Sequence, residues 1–153
     1  MVTQIERFLK TKQLKKEQDV NKLSKAHFLK AQDNMKYCHE SARLLSAFPS
    51  WIIVSAYYAA YHGALALLVK KGYSSKSHQA TILALKELYP LSQKTILDLH
   101  TLSNIAINDL ETLKEKREIA NYSISISYDK IVADEMREKA QNFLFIVEDL
   151  LKH

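Results

Sequence analysis

The sequence predicts an all-α protein, a helical bundle of five main helices with a short terminal one before them. Three observations carry this. Only two glycines and two prolines occur in 153 residues, which favours long uninterrupted helices over a turn-rich β fold. Apolar residues recur at steps of three and four, the spacing of one helix face. Trp51 to Leu68 is an eighteen-residue run without a charged side chain, which marks a helix buried on all sides.

Each element has its own signals. Residues 3–16 read as a short amphipathic helix, with Ile5, Phe8 and Leu9 on one side and Lys10, Lys12, Lys15 and Lys16 crowding the other. Asp19 or Asn21 can cap the next helix. Its stripe is Val20, Leu23, Phe28, Ala31, Met35, Cys38, Ala42 and Leu45, the spacing of a long helix packed along its length. Pro49 disfavours helix at Phe48, and Ser50 is a natural cap for the buried helix. That helix runs to Lys71 and stops at Gly72. Residues 74–77 form a polar loop ending in a cap at Ser77. A helix follows from His78 to about Tyr89, with Ile82, Leu85 and Leu88 inward, and Pro90 ends it. The next starts near Ser92 and turns Ile96, Leu99, Leu102, Ala106, Leu110 and Leu113 inward. Steps of four then carry the same face to Arg117 and Asn121. Residues 123–127 alternate like a strand but have no evident strand to pair with, so they read as an extended loop. The last helix spans Tyr128 to Leu151, with Val132, Met136, Ala140, Phe143, Val147 and Leu150 inward.

This length fits one ordinary domain with a sizeable core. The boundaries read as a basic N-terminal helix over residues 1–18 and a bundle domain over 19–153. No repeat or long linker divides the chain. A 47% apolar content argues against disorder. The lone cysteine, Cys38, has no disulfide partner within the chain and lies in an apolar stripe, so a buried, inert thiol is expected. One cysteine and no signal peptide point to the cytoplasm. Residues 51–69 have borderline length for a membrane span, but three tyrosines, a histidine and a serine within them argue for a core helix. The net charge is +5, and residues 1–36, with nine basic and four acidic side chains, hold all of it. A basic arm of this kind suits a polyanion or an acidic partner, or else is a solvated lysine face.

Arg117 is the leading candidate for chemistry. A guanidinium on an inward face must find a carboxylate, carbonyl oxygens or a phosphate. It either serves a site or pairs with Glu118 or Asp129. Asn121 shares its face, and Tyr122 adds a phenol. His62 follows Tyr58 by four residues on the buried helix, as a hydrogen-bonded core histidine or a functional one. Tyr57 and Tyr61 form a second such pair, as core packing or the wall of a stacking cleft. Lys76, Ser77 and His78 open a helix whose free amides suit an anion, or are an ordinary cap. His27, His39 and His100 lack ligand spacing, so no metal or cofactor is expected.

Three segments together resemble the HEPN-domain family: Ser55-Ala-Tyr-Tyr-Ala-Ala-Tyr-His62, Lys76-Ser77-His78 and Arg117-Glu-Ile-Ala-Asn-Tyr122. The similarity spans residues 20 to 150 and is nearest to the small stand-alone bacterial and archaeal members. It implies an antiparallel up-and-down bundle of four long helices plus short ones, and a homodimer. It also implies a nucleotide- or RNA-related role, in toxin–antitoxin-like pairs with a minimal nucleotidyltransferase. RNA-cutting members carry a histidine separated from the arginine by four to six residues. Here those positions are Tyr122, Ser123 and Ile124, and a phenol of reference pKa about 10 is a poor base. The sequence therefore reads first as a non-catalytic binding module. The candidate ligand-binding residues are Arg117, Asn121, Tyr122, His78, Lys76, Tyr58 and His62. A metal-independent endoribonuclease toxin using a displaced histidine, and a purely structural scaffold, are the alternatives.

Overall fold

A computed structural model describes residues 1–44, 48–89, 104–123 and 127–153. Its elements are α1 (Gln4–Lys10), β1 (Leu14–Lys16), α2 (Val20–Leu44), α3 (Pro49–Lys70), β2 (Tyr73–Ser75), α4 (His78–Leu88), α5 (Asn104–Tyr122) and α6 (Lys130–Lys152). Four of these are long, and together they make the antiparallel bundle, with α3 at its centre packing on α2, α4, α5 and α6.

The buried run does form the central helix. Pro49 itself is its first residue and Phe48 its cap, so the start lies before Ser50. A proline fits there because the first helical amide needs no partner. Burial is not uniform around it. Trp51 is exposed, and Val54, Tyr58 and His62 on the same line are half-buried. Gly63 is where α3 meets α6: a Cβ there would lie 2.7 Å from Leu144 Cδ2. Polar side chains pin the neighbours to α3 and its ends. Ser24 Oγ donates to Ala66 O at 2.8 Å, and the Lys70 ammonium donates to Leu150 O at 2.5 Å and Leu151 O at 3.1 Å at the end of α6. The Tyr89 hydroxyl donates to Leu67 O at 2.9 Å.

The N-terminal segment departs from the expected single helix over residues 3–16. The helix stops at Lys10, Lys12 takes a left-handed conformation (φ 59°), and the Gln13 amide donates to Phe8 O at 2.9 Å. The chain then forms β1, which pairs antiparallel with β2 in the register Leu14↔Ser75, Lys15↔Ser74, Lys16↔Tyr73. Ser74 and Ser75, expected as part of a loop over 74–77, join Tyr73 in the partner strand. Burial of Leu14 decides this: it is 2% exposed, and a continued helix would not place it there. Ile5 and Phe8 are buried too, and α1 packs on α4.

The other inward faces follow their spacing. Ala31, Met35, Cys38 and Ala42 are buried, while Val20, Leu23 and Phe28 are half-buried. Ile82 and Leu85 are buried and Leu88 half-buried. In α5, Ala106, Leu110, Leu113 and Arg117 are buried, but Asn121 is exposed. The face ends one turn before the helix does, so Asn121 has no core to meet. In α6, Met136, Ala140, Phe143, Val147 and Leu150 are buried, and Asp129 Oδ1 accepts from the Val132 amide at 3.0 Å as its cap, so the helix starts at Lys130, two residues beyond the expected start at Tyr128. The expectations for Leu45, Pro90, Ser92, Ile96, Leu99, His100, Leu102 and the centre of the 123–127 loop lie outside the described residues.

Candidate functional site

Three elements bring the candidate site together. From α3 come Tyr57, Tyr58 and Tyr61; from α4, His78 and Thr81; from α5, Arg117. Helical spacing places Tyr57 and Tyr61 on one face, and their rings stack at 5.8 Å and 14°. His78, the first residue of α4, is fixed by the turn before it. Ser75 Oγ donates to Ser77 O at 2.9 Å and accepts from the Ser77 amide at 3.0 Å. Ser77 Oγ then accepts from the Ala80 amide at 3.1 Å and caps the helix. The His78 ring lies flat on Tyr61, 4.2 Å away and 5° from parallel.

Arg117 lies over both neighbouring phenols. Its Cζ is 5.0 Å from the Tyr57 ring centre and 5.5 Å from that of Tyr58, within cation–π range. The residue is 9% exposed, and its Nε is buried without a hydrogen-bond partner among the described residues. Among the described residues no carboxylate pairs with it. Glu118 is taken by Lys114 at 2.9 Å, and Asp129 caps α6.

The ionisation states follow from burial. Burial raises the Tyr57 hydroxyl, neighbouring Tyr61 adds to this, and Arg117 pulls against it. Tyr57 is thus a phenol at neutral pH. Its O–H, hydrogen-bonded to His78 Nδ1, is the donor of that pair. Burial lowers the His78 pKa, and the Arg117 and Lys114 charges lower it further against a small opposing pull from Glu118. A neutral His78 with Nδ1 accepting carries its proton on Nε2. Burial raises Tyr61 as well, offset by its hydrogen bond to Thr81.

The sequence-derived candidates separate. Arg117, Tyr58 and His78 converge. Lys76 is exposed, two residues before His78. Asn121 and Tyr122 lie at the exposed end of α5, Tyr122 at 76%. His62 is elsewhere: it turns toward α2, where its Nδ1 is 3.2 Å from His27 Nδ1. Its pKa falls to about 4, chiefly by burial and then by His27 and Lys30. Spacing pairs Tyr58 with His62, but the two serve different contacts. Sequence reasoning misses Thr81 and Lys114, and neither stands in a motif that marks it. It also misses a second polar cluster: Arg137 Nη1 is 3.0 Å from His39 Nδ1, and His39 Nε2 is 2.7 Å from Gln141 Oε1. His39 and Arg137 are ninety-eight positions apart, so no local pattern links them.

Comparison with known proteins adds the following. The HEPN domain profile matches residues 24–150. Among solved structures, the crystal structure of TT1696 from Thermus thermophilus superposes with a TM-score of 0.63 at 19% sequence identity. That match covers 83% of this chain and 97% of the other. No curated protein matches by sequence.

Proposed function

This chain belongs to the HEPN-domain family, and from that premise we propose that it is a non-catalytic binding module that holds a phosphate group of a nucleotide or RNA against Arg117. The observation that carries this reading is the buried guanidinium without a carboxylate among the described residues. A buried charge lacking a counter-ion is costly, and an arriving phosphate offers oxygens that match the donor fork of arginine. Tyr57 and Tyr58 support the guanidinium from below, and His78 offers its Nε2–H beside it. Lys76, Asn121 and Tyr122 stand at the exposed margins and are assigned the outer contacts. The module is further proposed to act as a cytoplasmic homodimer, as the HEPN component of a toxin–antitoxin-like pair with a minimal nucleotidyltransferase.

Titration calorimetry with AMP tests the phosphate site. Arg117→Ala is expected to weaken AMP binding at least tenfold, and unchanged binding overturns the reading. A lower melting temperature with unchanged binding would make Arg117 a scaffold residue. Sedimentation velocity should give a dimer, and co-expression with a minimal nucleotidyltransferase should give a stable complex.

One observation favours a second reading, a metal-independent endoribonuclease. His78 lies close enough to Arg117 to feel its charge, so a histidine displaced in sequence is present in space. RNA incubated with the protein in EDTA should stay intact under the first reading. Cleavage abolished by both His78→Ala and Arg117→Ala would establish the second.

A further inference from the structure

The β1–β2 ladder joins two basic segments that are far apart in sequence. Residues 10–17 and 71–78 hold six lysines and one carboxylate, Glu17. Lys12, Lys15, Lys16, Lys71 and Lys76 are all exposed, and none of the six lysines pairs with a carboxylate among the described residues. The pairing places Lys15 and Lys16 on one strand, opposite Ser74 and Tyr73. Lys71 and Lys76 flank the other strand at its two ends. Paired strands lie about 5 Å apart with a rise of about 3.3 Å per residue, and successive side chains point to opposite faces, so this small ribbon carries positive charge on both of its faces.

The ladder is also anchored to the candidate site. The Glu17 amide donates to Gly72 O at 2.8 Å and extends the pairing at one end. At the other end the Ser75–Ser77 hydrogen bonds fasten β2 to the start of α4. Lys76 is therefore followed at once by the capping Ser77 and by His78, whose ring stacks on Tyr61 and hydrogen-bonds Tyr57 beneath Arg117. The buried guanidinium is thus followed outward by the neutral His78, then by Lys76, and then by the lysines of the paired N-terminal segment.

We propose that this ladder is a backbone-tracking surface that extends the Arg117 site, so that the ligand of that site is an RNA chain and not a free mononucleotide. The inference rests on the phosphate reading of Arg117 given above. An acidic protein is the poorer fit. The ladder shows no exposed apolar or aromatic anchor, since Leu14 is buried and Tyr73 half-buried, and protein interfaces draw their energy from such anchors. Exposed lysines without carboxylate partners among the described residues instead suit phosphates, recognised without regard to sequence.

The test uses the full chain, a labelled 16-nucleotide oligouridylate, AMP and poly-glutamate. The variant Lys12→Gln/Lys15→Gln/Lys16→Gln changes only exposed side chains outside the Arg117 site, and its fold is checked by circular dichroism. It is expected to bind the oligonucleotide at least tenfold more weakly and AMP as well as the parent. The dependence of log affinity on log salt should flatten by about 2, at about 0.7 for each lysine removed. Unchanged oligonucleotide affinity and slope overturn the proposal, as does displacement of the oligonucleotide by poly-glutamate as effectively as by unlabelled RNA. Failure of the underlying site reads differently: the parent then binds no AMP, or Arg117→Ala leaves AMP binding untouched.

Discussion

Arg117 is held against its own electrostatics. Cation–π contact with Tyr57 and Tyr58 recovers about 2 kcal/mol at best, whereas a buried unpaired ion costs several kcal/mol. A residue kept for structure alone would be better replaced by an apolar one of similar length. Arg117→Met is therefore expected to keep or raise thermal stability, by up to about 1 kcal/mol, while AMP binding is lost. A destabilised variant in a urea titration would favour the scaffold role. His62 gives a second expectation at this scale. Its folded pKa of about 4 lies below the ordinary 6.5. Above pH 6.5 the ring is neutral in both states. As pH falls from 6.5 toward 4, the unfolded chain takes up a proton that the folded one refuses, so stability is lost across that window. Full burial would make this about 3 kcal/mol, and half-exposure screens it to about 1–2 kcal/mol. Urea midpoints at pH 7 and pH 4.5 should show this loss, and His62→Gln should reduce it.

Among elements, α3 carries most of the burden, because every other long helix and α4 lean on it. Its small residues permit that closeness. Gly63 faces Leu144, Val147 and Phe143 of α6, and the isopropyl group of a valine would have to displace them. Gly63→Val is expected to cost about 1–3 kcal/mol by overpacking, read as a lower urea midpoint with an unchanged slope. The existence of α3 is legible as a long uncharged run, and that of α4 and α6 because their apolar residues keep helical spacing over their length. The β1–β2 ladder is not, because a three-residue strand has no period to read and its partner lies some sixty residues away. By spacing alone the lysines around it share a helix face, whereas the turn at Lys12 puts them on a ribbon.

For the molecule as a whole, the N-terminal segment is an integral layer. Ile5, Phe8 and Leu14 are buried, and burying three such side chains contributes about 5–8 kcal/mol as an upper estimate. That is comparable to the whole stability of an ordinary domain. Deleting residues 1–18 is expected to lower the melting temperature by more than about 10 °C or to leave the chain unfolded, as circular dichroism would show. A shift of only a degree or two would mean that the segment is a dispensable arm. Pro49–Lys70 is the one described helix long and apolar enough to cross a membrane, yet 83% of its apolar window is buried against its own neighbours.

The sequence by itself determined the helical class, the central helix and the inward placing of Arg117, because helical period is a local property that each segment displays alone. The three motifs that carry the family resemblance are local in the same way, each lying within one short stretch of chain. The tertiary structure decided what each of those side chains faces. It set His78 beside Arg117, sent His62 to His27 instead, and ended the inward face of α5 before Asn121. It also drew the N-terminal lysines to the start of α4. Each of these depends on which faces pack together, and packing joins residues that no short stretch of chain contains.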